Sequence, residues 1–313
     1  MLTPRVLLVV YNPRIASHGG ARLSEALGWN DPDRLCAEYI EDVRRVSHGY
    51  VHYRIVERLE LDVFPLKQDG FRYTEETYLA AWRARRGFHQ PDTADYPTLL
   101  AESDFVRKLE ADLVDELWLM GFPYAGFYES CMGGRSAIWC NGPVIPGTER
   151  VERRFVVMGF NYERGVGEML ENLGHRAESI LEHVFRDLPE PPWEGAQNTT
   201  CFKPDLSANL WRQFTRHEKT HPGCAACGNV HFAPNSTRDY DWGNPRPVLS
   251  NADDWLNYPH FTGARRWMTC ADWGNGDTRA HHRWWLMRFP HVEGFAPSGK
   301  RNNWWDYVVG LAF

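Results

Sequence analysis

The stretch RVLLVVYNP, residues 5–13, is where the fold becomes readable. Its apolar run from Val6 to Tyr11 is far too short to span a bilayer and stops at Asn12-Pro13, so it reads as a buried strand. The next segment decides what kind of sheet that strand joins. NDPDRLCAEYIEDVRRVS (30–47) opens with capping Asn and Asp, has Pro32 in its first turn, and spaces Leu35, Tyr39, Val43 and Val46 as one helical face.

The same alternation continues outward. YVHYRIVERLELDVF (50–64) alternates as a half-exposed strand does, whereas TEETYLAAWRARRG (74–87) and PTLLAESDFVRKLEADL (97–113) are helical. VDELWLMGF (114–122) and RFVVMGF (154–160) read as strands, the second leading into a helix at about 166–186. Strands separated by helices predict an α/β domain over residues 1–187, with a largely parallel sheet flanked by helices.

Residues 188–313 follow another pattern. Ten of the fourteen tryptophans lie there among Pro, Gly, Asn and Asp, which predicts a loop-rich region with short strands packed on the first domain. The Pro-rich LPEPPWEG (188–195) marks the expected boundary.

Composition narrows the function. A net charge of -6 over 313 residues leaves no basic field for phosphate, so nucleic acid is not an expected partner, and no apolar run suits a membrane. Seven cysteines, an odd number spread through a long chain, do not resemble a disulfide framework, so the expected location is cytoplasmic. Asn198-Thr-Thr and Asn235-Ser-Thr match the glycosylation acceptor pattern, which keeps export open.

Candidate chemistry falls in three places. In a parallel sheet, ligands collect beyond the carboxyl ends of the strands. GFPYAGFYESCMGG (121–134) and GFNYERGVGE (159–168) are predicted there as loops, bringing Glu129, Glu163 and Glu168 to one rim for proton transfer and Arg164 to steady negative charge. A solvated Glu163–Arg164 pair and a turn-capping Glu129 are the plain alternative.

The helix near 166–186 carries two stripes. Leu170, Leu173, Ala177, Ile180, Leu181 and Val184 form a core face, while Glu168, Glu171, His175, Glu178 and Glu182 lie opposite. Glu171, His175 and Glu178 can point at one cation, although such a stripe is more often simply the wet face of a helix.

The third place is HPGCAACGNVH (221–231). His221, Cys224, Cys227 and His231 have spacings that suit tetrahedral Zn²⁺, either as a structural site or with a histidine joining the acidic stripe; packed thiols or a Cys-x-x-Cys disulfide are the alternatives. The Cys131 thiol with His18 or His175 is a weaker nucleophilic option, and the His281–His282 pair a weaker binding one.

These readings converge on a metal-dependent hydrolase, using Zn²⁺ or another divalent ion on a peptide, amide or glycan substrate in a cleft between the two regions. A non-catalytic carbohydrate-binding module with a structural zinc, its tryptophans stacking on sugar, and a metal-free carboxylate-pair glycosidase are the two alternatives.

Overall fold

The structure, a computed structural model, describes residues 1–193 and 199–313, so Asn198 of the first acceptor tripeptide lies outside the described residues. The chain forms two compact units. A sheet unit comprises residues 3–40 and 53–176; a tryptophan unit comprises residues 1–2, 41–52 and 177–313.

In chain order, the first part of the molecule contains β1 (Arg5–Tyr11), β2 (Arg14–Ile15), β3 (Ala21–Arg22), α1 (Leu23–Ala26) and α2 (Pro32–Val46). Then come β4 (Arg54–Leu61), α3 (Glu75–Ala84), α4 (Tyr96–Glu102), α5 (Phe105–Glu110), β5 (Glu116–Gly121), β6 (Ser130–Gly133), β7 (Phe155–Asn161) and α6 (Val166–Phe185). The later residues add α7 (Leu210–Phe214), β8 (Val248–Ser250), β9 (Arg266–Met268), α8 (Thr278–Leu286) and α9 (Trp305–Val308).

The central sheet has five strands in the order β4-β1-β5-β7-β6, all parallel except β6. This is the largely parallel, helix-flanked sheet that the alternation predicts. Burial explains the strand sequences: β1, β5 and β7 lie inside, with Val6–Tyr11 and Leu117–Met120 at most 1% exposed, and read as continuous apolar runs. Edge strand β4 alternates exposed and half-buried residues, as its polar-apolar alternation requires.

Two expectations are corrected. The 97–113 helix is two helices, because the Ser103 hydroxyl bonds the Leu99 carbonyl at 2.8 Å and Asp104 turns left-handed at φ 53°. The Gly-rich 121–134 segment is not all loop: β6 pairs antiparallel with β7, Ser130 opposite Met158 and Gly133 opposite Phe155.

The units divide within α2 and α6 rather than at the proline-rich stretch. Residues 41–52 belong with the late chain because of specific bonds: Tyr50 Oη donates to Asp306 at 2.6 Å, and Arg279 Nε donates to Asp42 at 2.5 Å. The His48 ring stacks on His291 at 3.8 Å. The tryptophan unit is short in regular structure, as predicted, and Trp255, Trp273, Trp285, Trp304 and Trp305 are almost fully buried in it. Among the described residues, no helix is long and apolar enough to cross a membrane.

Candidate metal centre

The site is best built from Gly159, at the carboxyl end of β7. Its N–H donates to the Glu129 carbonyl at 3.0 Å, and its own carbonyl accepts from Asn172 Nδ2 of α6 at 2.7 Å. One residue therefore holds both the chain carrying Glu129 and the helix carrying Glu171 and His175. Only glycine fits: a Cβ there would lie 2.2 Å from the Tyr128 carbonyl oxygen and 2.8 Å from Phe127 Cβ.

Against that frame, His175 stands near two carboxylates within the sheet unit. His175 Nε2 lies 4.0 Å from Glu129 Oε2 and 4.0 Å from Glu171 Oε1, the latter one helical turn away on α6. Asn141 Nδ2 donates to Glu129 Oε2 at 2.5 Å and fixes that carboxylate. The burial is graded: the Glu171 side chain is 12% exposed, His175 17% and Glu129 47%.

The polar stripe of α6 is thus sunk rather than wet at its centre, opposite a core face whose six residues are all buried. Ligands about 2.1 Å from a zinc ion lie roughly 3–3.5 Å from one another, so a contraction of about 0.5–1 Å would bring Glu171 and His175 to coordination. Glu171 and His175 could hold a metal ion.

The remaining acidic candidates are engaged elsewhere. Glu163 pairs with Arg164 at 3.1 Å, the solvated pair that was the plainer expectation. Glu168 Oε2 accepts from the Gly165 N–H at 3.1 Å and caps the start of α6. Glu178, in the tryptophan unit, accepts from the Val230 N–H at 3.2 Å.

The four-ligand zinc clamp of residues 221–231 is not assembled. Cys224 forms a disulfide with Cys201 and has no thiolate to offer, while Cys227 is fully buried with its thiol pushed well above the usual range by desolvation. His221 Nε2 faces Glu190 at 3.4 Å, and both ring nitrogens of His231 have partners in its own unit, Asp239 and Tyr240. The disulfide partner was not foreseen because Cys201 is twenty-three residues upstream and the tertiary path alone brings it near.

Cys131 sits in β6 with no exposure, its thiol pushed up by burial, which removes it as a nucleophile. His281 and His282 are likewise fully buried, and burial holds His281 well below the usual imidazole range, as a neutral packing residue stacked on Trp242 at 4.8 Å. Asn141, which orients Glu129, carries no sequence pattern that would single it out.

No family model matches this chain, and neither a curated protein nor a solved structure matches it. Its chemistry rests on the site itself.

The Gly159 frame makes a prediction that touches no donor. Gly159→Ala is expected to displace the 127–129 segment and weaken metal binding, while Gly243→Ala, where a Cβ would meet nothing closer than 3.7 Å, leaves it unchanged. Zinc titration of both variants by calorimetry checks this.

Proposed function

We propose that the protein is a metal-dependent hydrolase whose divalent ion, of the zinc type, is held by Glu171 and His175, with Glu129 facing them. The observation that carries this reading is the position of His175 Nε2, 4.0 Å from a carboxylate oxygen on either side. An imidazole and a carboxylate are a nitrogen–oxygen donor pair that suits zinc and leaves coordination positions open for water and substrate.

An ion in such a set lowers the pKa of its bound water toward neutrality and polarises a carbonyl or similar group. The residues supply the rest. Glu171, the more buried carboxylate, is the permanent donor, and Glu129, half exposed and held through Asn141, is placed to take a proton from an incoming water. Peptide, amide and glycan substrates suit this chemistry.

The Cys201–Cys224 disulfide favours an oxidising compartment over the cytoplasm. Such bonds persist mainly where thiols are not kept reduced.

The test is metal analysis of protein purified without chelator, followed by calorimetry with zinc alone. One zinc per chain is expected, with affinity falling more than about a hundredfold in His175→Ala and in Glu171→Gln while circular dichroism is unchanged. Glu129→Gln is expected to keep zinc and lose turnover on a panel of ester, peptide and glycoside substrates. Full zinc retention by His175→Ala and Glu171→Gln sinks the assignment.

A further inference from the structure

We propose that the Cys201–Cys224 disulfide is a thiol–disulfide exchange site that oxidises small dithiol compounds, with Arg216 receiving the Cys224 thiolate as it leaves. Both cysteines and the arginine belong to the tryptophan unit. Arg216 Nη1 lies 3.8 Å from Cys224 Sγ, and the arginine side chain is 3% exposed.

The rest of the guanidinium is engaged on its other side. Nε and Nη2 donate to Glu190 Oε1 at 3.2 and 3.0 Å, and Nη2 also reaches the Pro191 carbonyl at 3.5 Å. Nη1 is turned to the sulfur, so it can donate to a thiolate there without releasing Glu190. A thiolate beside a guanidinium is held below the ordinary cysteine range, and a thiol of lower pKa leaves faster in exchange.

The backbone sets this contact. The Arg216 carbonyl accepts from the Ala226 N–H at 2.9 Å and from the Gly228 N–H at 3.2 Å, which ties the arginine's own segment to the loop carrying Cys224. Cys224 N–H donates to the His221 carbonyl at 3.0 Å. At the other end, the Phe202 carbonyl accepts from Asn251 Nδ2 at 2.9 Å and anchors the residue after Cys201. Both ends are thus held by bonds other than the disulfide, and the two thiols stay neighbours when it opens.

The two sulfurs are not equivalent. Cys224 is 1% exposed, whereas Cys201 is only half-buried, so an incoming thiolate reaches Cys201. Cys227 is fully buried and kept protonated by desolvation, so it packs rather than exchanges.

In the step, one thiolate of the dithiol attacks Cys201 Sγ and forms a mixed disulfide. The Cys201–Cys224 bond breaks, and its electron pair goes to Cys224 Sγ beside Arg216 Nη1. The second thiolate of the dithiol then attacks the dithiol's first sulfur and releases Cys201. The dithiol loses two electrons and becomes a disulfide, and the cysteine pair gains them. Of the dithiol's two protons, one ends on Cys201 and the other in solvent, while Cys224 stays ionised. No metal enters the balance, so exchange proceeds with EDTA present.

The first experiment treats the full chain with glutathione at neutral pH in EDTA, quenches in acid and maps the peptides. Glutathione on Cys201, with Cys224 a free thiol, is expected. Glutathione on Cys224, or no exchange without denaturant, overturns the proposal. Reduction by dithiothreitol should slow on the order of tenfold in Arg216→Met, whereas a variant that merely loosened the loop would speed it.

The second experiment follows Cys224 itself. The ultraviolet thiolate absorbance of Cys201→Ser, less that of Cys201→Ser/Cys224→Ser, should titrate at least about one pH unit below the ordinary cysteine midpoint. Adding Glu190→Gln should lower the midpoint further, because it leaves the guanidinium charge uncompensated. Glu190 is 32% exposed, so this variant keeps the fold and decides the matter if Arg216→Met does not. Loosening alone would move the midpoint up instead. A Cys224 midpoint at or above the ordinary value, or one that Glu190→Gln fails to lower, makes the disulfide a structural bond only.

Discussion

Arg176→Met is expected to destabilise the protein by about 3–5 kcal/mol, the cost of leaving a buried carboxylate without its partner. Arg176 on α6 is fully buried and grips Glu116 of β5 through two bonds, Nη1 to Oε2 at 3.0 Å and Nη2 to Oε1 at 2.7 Å. Burial works against the guanidinium charge, but Glu116 beside it outweighs that, and the pKa of Arg176 is raised.

Glu116 is saturated as well, accepting from Tyr53 Oη at 3.2 Å and Trp118 Nε1 at 3.3 Å. Without Arg176 the Glu116 charge stays in a dry core with only those two neutral donors. The double variant Arg176→Met/Glu116→Leu should recover much of the loss, because removing both charges removes their desolvation cost together. Urea unfolding of the two single variants and the double variant measures this; a loss below about 1 kcal/mol for Arg176→Met would refute it.

The second large effect belongs to the tryptophan unit. Trp304 has no exposure and sits among Phe185, Trp211, Phe214, Trp255 and Phe289, with ring centroids 5.3–6.0 Å away. Trp304→Ala opens a cavity at that hub and is expected to cost about 3–5 kcal/mol.

Trp304→Phe should be much milder, for a particular reason. The indole Nε1 is buried without a hydrogen-bond partner, so the native residue already carries an unmet donor that phenylalanine lacks. Thermal unfolding of both variants checks the contrast, and equal losses would show that the indole donor is satisfied. The same ring cluster accounts for Trp211, Trp255 and Trp304 as packing residues.

How much was legible follows from where the information resides. Val6–Tyr11 and Leu117–Met120 announce central strands because a strand covered on both faces has no polar position to spare. The two stripes of α6 are readable because side chains three and four apart share a face whatever the helix packs against. Glu171 and His175 were found this way.

Asn141, Cys201 and Tyr240 were not. Their partners Glu129, Cys224 and His231 lie twelve, twenty-three and nine residues away, and loop paths set those pairings. Such segments carry no period that would reveal who meets whom.

By itself, then, the sequence determined the kind of sheet, four of its five strands, the core face of α6 and the aromatic packing of the later chain, since each depends on local periodicity or composition. Only the tertiary structure decided that Cys224 is oxidised rather than a zinc ligand, that Glu163 and Glu168 serve a surface pair and a helix cap, and that Glu129 comes to His175. Those outcomes turn on distances between segments, and a glycine too crowded to bear a Cβ, Gly159, sets the last of them.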